Sequence, residues 1–123
     1  MNFKEAFFVN ISKELAKGST AMLVLSVLSK ENLYGYQIIR TVANLSDDVF
    51  QMNEGTLYPI LHSLEKNGML ESYWSEASET VRRRKYYKIT EMGLKELATQ
   101  YKERQEFSTA VSIVLGRAAH DTA

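Results

Sequence analysis

The 123-residue sequence has no cysteine, only one proline and one tryptophan, and two histidines. Without cysteine, disulfide bonds and thiolate metal sites are excluded. The sequence also lacks the short motifs of zinc proteases, serine hydrolases and phosphate-binding glycine loops. Of the two histidines, His120 lies in a C-terminal tail and His62 has no carboxylate pattern near it. The sequence therefore predicts no enzyme, no metal site and no cofactor.

Long apolar runs are also missing. No segment reaches the roughly 18 consecutive apolar residues that a membrane-spanning helix needs. The longest apolar run, residues 21–28, is internal, and the N-terminus lacks the layout of a signal peptide. A composition with 45% hydrophobic and 24% charged residues is typical of one globular domain. We therefore expect a soluble, cytoplasmic protein that does not bind membranes.

The formal net charge is zero, but the positive charges are unevenly spread. The stretch RRRKYYKIT, residues 82–90, carries five positive charges, so the other 114 residues sum to −5. A run of charge is usually a solvated face. Four consecutive cations in a neutral chain are nevertheless a local concentration of charge, which attracts an anionic partner such as nucleic acid.

Apolar residues recur at helical spacing in five segments. These segments are residues 3–17, about 20–28, 34–45, 54–67 and the region after Thr90. The first carries an apolar residue at every fourth position: Phe3, Phe7, Ile11 and Leu15. Such a stripe needs a surface to cover, and either the chain's own core or a second subunit provides one.

The middle segments predict two helices that share a core. Tyr36, Ile39, Val42 and Ala43 form the stripe of the first helix, which follows a turn over residues 30–33. Leu57, Ile60, Leu61 and Leu64 form the stripe of the second helix. Two different start positions of the second helix are compatible with Pro59. Asn53 predicts an early start with proline inside the helix, whereas Thr56 predicts a late start with proline in its first turn.

The C-terminal half predicts a hairpin followed by a long helical region. Residues 69–74 and 84–89 have strand composition, and a polar segment too long for a two-residue turn joins them. After Thr90 an apolar stripe runs to Tyr101, stops over residues 102–106 and resumes at Phe107, so one helix and two helices both fit. The fold class is mainly α with a small two-stranded antiparallel hairpin.

The order helix, helix, helix, hairpin, with a short connection between the last two helices, fits a helix-turn-helix. In that motif the second helix enters the major groove of DNA. The surface opposite the leucine stripe is rich in hydrogen-bonding side chains, and the basic block follows in the hairpin. The predicted DNA-binding residues are Asn53, Thr56, Tyr58, His62, Lys66, Arg82, Arg83, Arg84 and Lys85.

Three stretches, YGYQI, EGTLYPILHSLEKNGMLESYW and RRRKYYKIT, stand in an order and spacing that resemble the PadR family of winged helix-turn-helix transcriptional regulators. The similarity covers about residues 19–101. The short chain resembles the compact branch that includes the lactococcal multidrug-binding repressor. The resemblance implies a homodimeric repressor of a pseudo-palindromic operator in double-stranded DNA, with residues 75–83 as the wing.

The resemblance also implies three regions. Residues 1–18 would form a dimer-contact helix, 19–90 the DNA-binding domain, and 91–123 the dimerisation helix or helices. The predicted dimer interface combines both terminal stripes: Phe3, Phe7, Ile11, Leu15, Leu97, Tyr101, Phe107, Val111 and Val114.

Some members of the family release DNA when an aromatic ligand binds between the subunits. Tyr101 and Phe107 are the candidate lining residues for such an effector, with packing as their alternative role. The tryptophan that stacks flat ligands in the multidrug-binding relative corresponds to Arg104 in this sequence. The family's wings often carry glycines before the arginines, where this chain has Glu79, Thr80 and Val81. A winged-helix module that binds protein and not DNA is the alternative function.

Overall fold

The structure, a computed structural model, describes residues 19–121, with side chains through residue 117. The predicted helix over 3–17, with Phe3, Phe7, Ile11 and Leu15, lies outside the described residues. The elements within them are α1 Thr20–Leu28, β1 Leu33–Tyr34, α2 Gly35–Leu45, α3 Glu54–Lys66, β2 Leu70–Trp74, β3 Lys85–Ile89 and α4 Glu91–Asp121.

One apolar core joins α1, α2, α3 and the inner face of the sheet. α1 is apolar nearly all round and is buried on most sides, as its composition predicts. α3 buries three residues of its predicted stripe, and Ile60 packs partly buried beside them. The largest fully buried side chains are Tyr87, Leu25, Leu28, Ile38, Leu57, Leu61, Leu70 and Val24.

The buried stripe of α2 differs from the predicted one at its start. Val42 and Ala43 are buried as predicted, but Tyr36 is 61% exposed. The prediction that Tyr36 belongs to the stripe is therefore wrong. Ile38, one helical turn before Val42, is completely buried and fills the corresponding place in the core.

The sheet has three antiparallel strands in the order β1-β3-β2. The β2–β3 hairpin confirms the two predicted strands to within one residue, with Leu70 opposite Ile89 and Trp74 opposite Lys85. β1 was not predicted, because two residues are too few for a period-2 pattern to show. Its pairing of Leu33 with Tyr87 attaches the start of α2 to the hairpin.

The connection between α2 and α3 is longer than a tight helix-turn-helix turn. Asp47 and Asp48 adopt left-handed backbone conformations, with φ of 50° and 65°, and aspartate tolerates this region better than most residues. The Ser46 hydroxyl donates to the carbonyl of Val42 (2.8 Å) and accepts from the amide of Phe50 (3.1 Å). These bonds fix the path of the chain into α3.

α4 is a single helix of 31 residues, which settles the choice between one helix and two. The polar break over residues 102–106 consists of lysine, glutamate, arginine and glutamine, which all have high helix propensity. Thr90 caps the helix, since its hydroxyl accepts from the amide of Gly93 at 3.0 Å. With the hairpin and the two preceding helices, the described residues form a winged helix-turn-helix.

Candidate nucleic-acid interface

α3 begins at Glu54, and Asn53 is its N-cap. The Asn53 carboxamide oxygen accepts a hydrogen bond of 2.9 Å from the amide of Thr56. The late start at Thr56 is therefore wrong, and Pro59 lies inside the helix. Because proline has no amide hydrogen, the helix lacks one backbone hydrogen bond at that turn.

The outer face of α3 is polar and open to solvent. Thr56, Tyr58, His62 and Lys66 are all exposed there, opposite the buried leucines. His62 and Lys66 are four residues apart and lie one above the other on this face. We name this surface, with Asn53 at its start, the reading face. It presents donors and acceptors of the kind that contact base edges in a major groove.

Tyr58 is partly a structural residue. Its side chain lies against Gly35 at the start of α2, so closely that a Cβ atom there would stand 2.7 Å from the Tyr58 hydroxyl oxygen. Glycine at position 35 therefore makes room for the ring. The contact leaves Tyr58 37% exposed and fixes its direction between the two helices of the helix-turn-helix.

The wing continues beyond the last paired residues of the sheet and closes in a turn. The amide of Ser75 donates to the carbonyl of Arg84 (2.8 Å), and the amide of Arg84 donates to the Ser75 hydroxyl (2.9 Å). At the tip the amide of Ser78 donates to the carbonyl of Val81 (3.1 Å), and the amide of Val81 donates to the Ser78 hydroxyl (2.9 Å). These four bonds fix the backbone at the base and the tip.

Side chains alternate between the two faces of the sheet. Leu70 lies in the core, and Ser72 donates a hydrogen bond to the carboxylate of Glu65 on α3. Trp74 is next on this face, so it lies on the same side of the sheet as α3. The Arg83 guanidinium carbon is 5.3 Å from the centre of the Trp74 ring.

The neighbouring Arg84 belongs to the opposite face. Its guanidinium carbon lies 4.5 Å from the centre of the Tyr34 ring, on β1. Lys85 is half-buried, with its ammonium nitrogen 5.7 Å from the centre of the Tyr87 ring, whereas Arg82 is exposed. The basic block therefore projects in several directions from the base of the wing.

Tyr87 is the buried link between the sheet and α3. Burial raises its pKa above the ordinary value of 10.0, and the nearby Glu65 carboxylate and Tyr58 raise it further. The folded protein thus favours the neutral phenol. Tyr87 anchors this part of the basic stretch in the core, since the residue is only 1% exposed.

This buried phenol predicts a loss of stability at alkaline pH. The unfolded chain releases the Tyr87 proton at a lower pH than the folded chain, so the free energy of unfolding decreases as pH rises through about 10 and above. We expect Tyr87→Phe to remove this part of the decrease. Urea unfolding from about pH 8 to about pH 11 measures it. The control for losing one tyrosine is Tyr36→Phe, and an equal alkaline loss in wild type and Tyr87→Phe would contradict the prediction.

Comparison with known proteins identifies the family. The model of the PadR-like family of transcriptional regulators matches residues 24–99, which include α2, α3 and the whole sheet. The chain belongs to the PadR-like family. The match spans all three stretches that suggested this resemblance.

Solved structures of other PadR-like and transcriptional regulators have the same fold. A PadR-family regulator from Eggerthella lenta is 31% identical with a TM-score of 0.76, and the alignment covers 91% of this chain and 95% of that one. A transcriptional regulator from Clostridium thermocellum is 32% identical with a TM-score of 0.73, and the alignment covers 80% of this chain and 95% of that one.

A sequence relative is similar over most of its length. Protein X of Lysinibacillus sphaericus is 29% identical over 105 residues, covering 85% of this chain and 95% of that protein.

The predicted DNA-binding residues of this PadR-like chain fall into two groups. Asn53, Thr56, Tyr58, His62 and Lys66 belong to the reading face, and the four cations belong to the wing. No pattern along the chain indicates the partners that orient these side chains. Trp74, Tyr34 and Gly35 were missed because their roles depend on contacts between strands and helices and not on spacing along the chain.

α4 carries an exposed apolar surface that begins at Tyr101 and continues into its second half. Phe107 is 72% exposed, Val114 65% and Tyr101 60%, and Val111 is also exposed. Leu97, by contrast, packs partly buried against the core of its own chain. The dimer interface stays a prediction.

Arg104 joins α4 to the start of α1. Its Nη1 donates to the Ser19 hydroxyl oxygen at 2.9 Å, and Ser19 is buried. Ser19 occupies the N-cap position of α1, but its side chain makes no cap hydrogen bond there. Arg104 thus has a packing role between two helices.

Tyr101 and Phe107 do not share one side of α4. On a continuous helix, a spacing of six residues places them about 120° apart around the axis. A pocket lined by both side chains would have to extend around the helix. The effector site stays a prediction.

Two other kinds of site are missing from residues 19–121. Among residues 19–117, whose side chains the structure describes, no three histidine, cysteine, aspartate or glutamate side chains are grouped so that they could hold a metal ion. Nor does any helix of this range combine the length and apolar character needed to cross a membrane.

Proposed function

We propose that this PadR-like chain is a homodimeric repressor that binds a pseudo-palindromic operator. Residues 19–90 form the DNA-binding domain, and 91–123, with 1–18, form the dimer contacts. α3 enters the major groove, and the wing cations contact the flanking phosphates. No catalytic reaction is part of this function.

The observation that carries the proposal is the position of Arg83 relative to the reading face. Trp74 and Arg83 lie on the face of the sheet that contacts α3, so a positive charge of the wing lies on the same side of the sheet as the helix that carries the reading face. Side chains on α3 would supply base contacts, and arginine would supply phosphate contacts, which add affinity without sequence information. The zero net charge of the chain does not oppose this, because local charge governs the contact.

The exposed apolar side chains of α4 support the dimer. A surface helix usually buries its apolar stripe against a neighbour. In a two-fold dimer, the same stripe on a second copy would cover Phe107, Val111 and Val114. Two reading helices would then face successive major grooves, about 34 Å apart.

Regulation would act through the joint between α3 and α4. The Thr90 hydroxyl donates to the carbonyl of Gly68 at the end of α3 (2.6 Å), and the amide of Thr90 donates to the carbonyl of Met69 (3.0 Å). A change in how two α4 helices pack would therefore move the two α3 helices relative to each other. A small aromatic effector near Tyr101 or Phe107 would shift the population between dimers that fit DNA and dimers that do not.

Salt-dependent DNA binding tests the proposal. Genomic fragments that the protein captures at low salt serve as probes, and the dissociation constant is measured over a range of salt concentrations. We expect affinity to decrease steeply with salt, because phosphate contacts release counterions. Replacing Arg83 and Arg84 with alanine should weaken binding at least about tenfold and flatten the salt dependence by up to about one unit for each lost phosphate contact.

The matched control removes two charges elsewhere. Lys95→Ala with Lys102→Ala takes the same charge from exposed positions on α4 and should leave the salt slope close to that of wild type. An equal loss of DNA affinity in both double variants would show that binding depends on net charge and not on the position of the two arginines. Absence of any captured DNA at low salt would contradict the proposal and favour a protein-binding module.

A further inference from the structure

Two consecutive arginines at the base of the wing each lie against a different aromatic ring. Arg83 lies 5.3 Å from the centre of the Trp74 ring, and Arg84 lies 4.5 Å from the centre of the Tyr34 ring. Both distances are within the roughly 6 Å over which a guanidinium is attracted to a ring face. Since adjacent residues of an extended chain point to opposite faces, the two cations are held apart.

The Tyr34 ring is itself held in place by a row of aromatic side chains across the outer face of the sheet. Its ring packs edge-on against Tyr86, with centroids 5.5 Å apart, and Tyr86 stacks on Tyr73 at 5.6 Å. The Asn32 amide nitrogen donates to the Tyr73 hydroxyl at 3.1 Å. One tyrosine from each strand thus contributes to the row that supports Arg84.

Trp74 supports Arg83 in a different way. It is the last residue of β2 and pairs in register with Lys85, next to the two hydrogen bonds between Ser75 and Arg84. The backbone on both sides of the contact is therefore fixed. The ring is 55% exposed, so core packing does not account for a tryptophan at this position.

We infer that Trp74 and Tyr34 are positioning residues that hold Arg83 and Arg84 in two fixed directions for DNA. A free arginine loses much rotamer freedom when it binds a phosphate. A guanidinium already held against a ring loses less, and this preorganisation increases affinity. The two arginines then reach separate phosphates, Arg83 on the α3 side of the wing and Arg84 on the other. The inference rests on the proposed function only for the identity of the anionic partner.

The Trp74 contact is testable without DNA. Trp74 is the only tryptophan of the chain, so fluorescence quenching by acrylamide reports the exposure of that ring alone. We expect Arg83→Ala to increase the quenching constant. Arg82→Ala, which removes an adjacent and exposed arginine, should leave it unchanged. Equal quenching in wild type and Arg83→Ala would overturn the inference, whatever the protein binds.

A double-mutant cycle tests the positioning role on DNA. Trp74→Leu should weaken binding about two- to fivefold for each protomer, the effect of one exposed cation–π contact. In the Arg83→Ala background the same substitution should have no further effect, because its action passes through Arg83. Trp74→Phe keeps a ring face and should restore most of the affinity. The parallel cycle pairs Tyr34→Leu with Arg84→Ala, and Tyr34→Phe is its conservative variant.

The outcomes separate the inference from the proposed function. Suppose that wild type binds DNA and that Trp74→Leu reduces DNA affinity by the same factor in the wild-type and Arg83→Ala backgrounds. Trp74 then acts independently of Arg83, and the inference is wrong. If wild type binds no DNA but Arg83→Ala still increases quenching, the proposed function fails and the Arg83–Trp74 contact stands. Thermal unfolding of every variant identifies any loss that comes from misfolding, and Trp74→Met, which also lacks a ring, then replaces Trp74→Leu in the cycle.

Discussion

Gly93→Ala is expected to lower the free energy of unfolding by about 3 kcal/mol, the upper part of the range for overpacked sites. A Cβ atom at this position would stand 2.3 Å from the carbonyl oxygen of Met69 and 2.7 Å from Cγ1 of Ile89. The first of these atoms belongs to the backbone and cannot rotate away. α4 must therefore shift at its first turn, where it contacts the sheet.

The same helix provides the control. Gly116 has no atom within 4 Å of the position where a Cβ would stand, so Gly116→Ala meets no steric obstacle and should gain up to about 1 kcal/mol of helix propensity. Urea and thermal unfolding at one protein concentration measure both variants, and Gly93→Ala should lower the Tm by about 10 °C. Similar stability in the two variants would show that α4 can move away from Met69 without loss.

Phe107→Glu combined with Val114→Glu is expected to convert the proposed dimer to monomers. In a two-fold interface each substitution occurs twice, so four carboxylates would enter one apolar contact. Buried unpaired charges are costly. DNA affinity should decrease at least about 100-fold, because the two reading helices would no longer bind as one linked pair.

Analytical ultracentrifugation measures the oligomeric state, and DNA titration measures the affinity. The matched control is Gln105→Glu with Ser112→Glu. These residues are also exposed and seven apart, on the side of α4 roughly opposite Phe107 and Val114. The control should remain dimeric. If the Phe107 and Val114 variant stays dimeric as well, the interface lies elsewhere.

Much of the fold follows from local pattern. The leucine spacing of α3 fixed its buried face, since residues three and four apart share one side of a helix. The hairpin strands and the Thr90 cap were also predictable, because each depends on residues close in the chain. The family stretches supplied the order of the elements, and the family match confirmed it.

What the sequence did not predict depends on contacts between distant residues. Ile38 and not Tyr36 enters the core, because pairing of β1 with β3 sets the rotation of α2. The close approach at Gly93 and the ring against Arg83 also arise only after the sheet has formed. The sequence did not decide whether α4 is one helix or two. The polar residues 102–106 interrupt the apolar pattern, and such an interruption occurs both in a continuous helix with a polar turn and in a loop between two helices.

Because α4 is one continuous helix, the apolar residues of its two halves face different directions around the helix axis. Leu97, in the first half, packs against the core of its own chain. Phe107 and Val114 face a direction more than about 80° away around the axis. Leu97 thus serves the fold, whereas Phe107 and Val114 are exposed, and their burial against a second copy is the basis of the dimer in the proposed function.

Hydroxyl-radical footprinting on a captured genomic fragment, with the number of bound chains measured in parallel, tests the proposed repressor most directly. We expect two chains per fragment and two protected segments related by two-fold symmetry, about 10 base pairs or 34 Å apart. One chain on one protected segment, or no protection at low salt, would contradict a dimer that reads DNA with its two α3 helices.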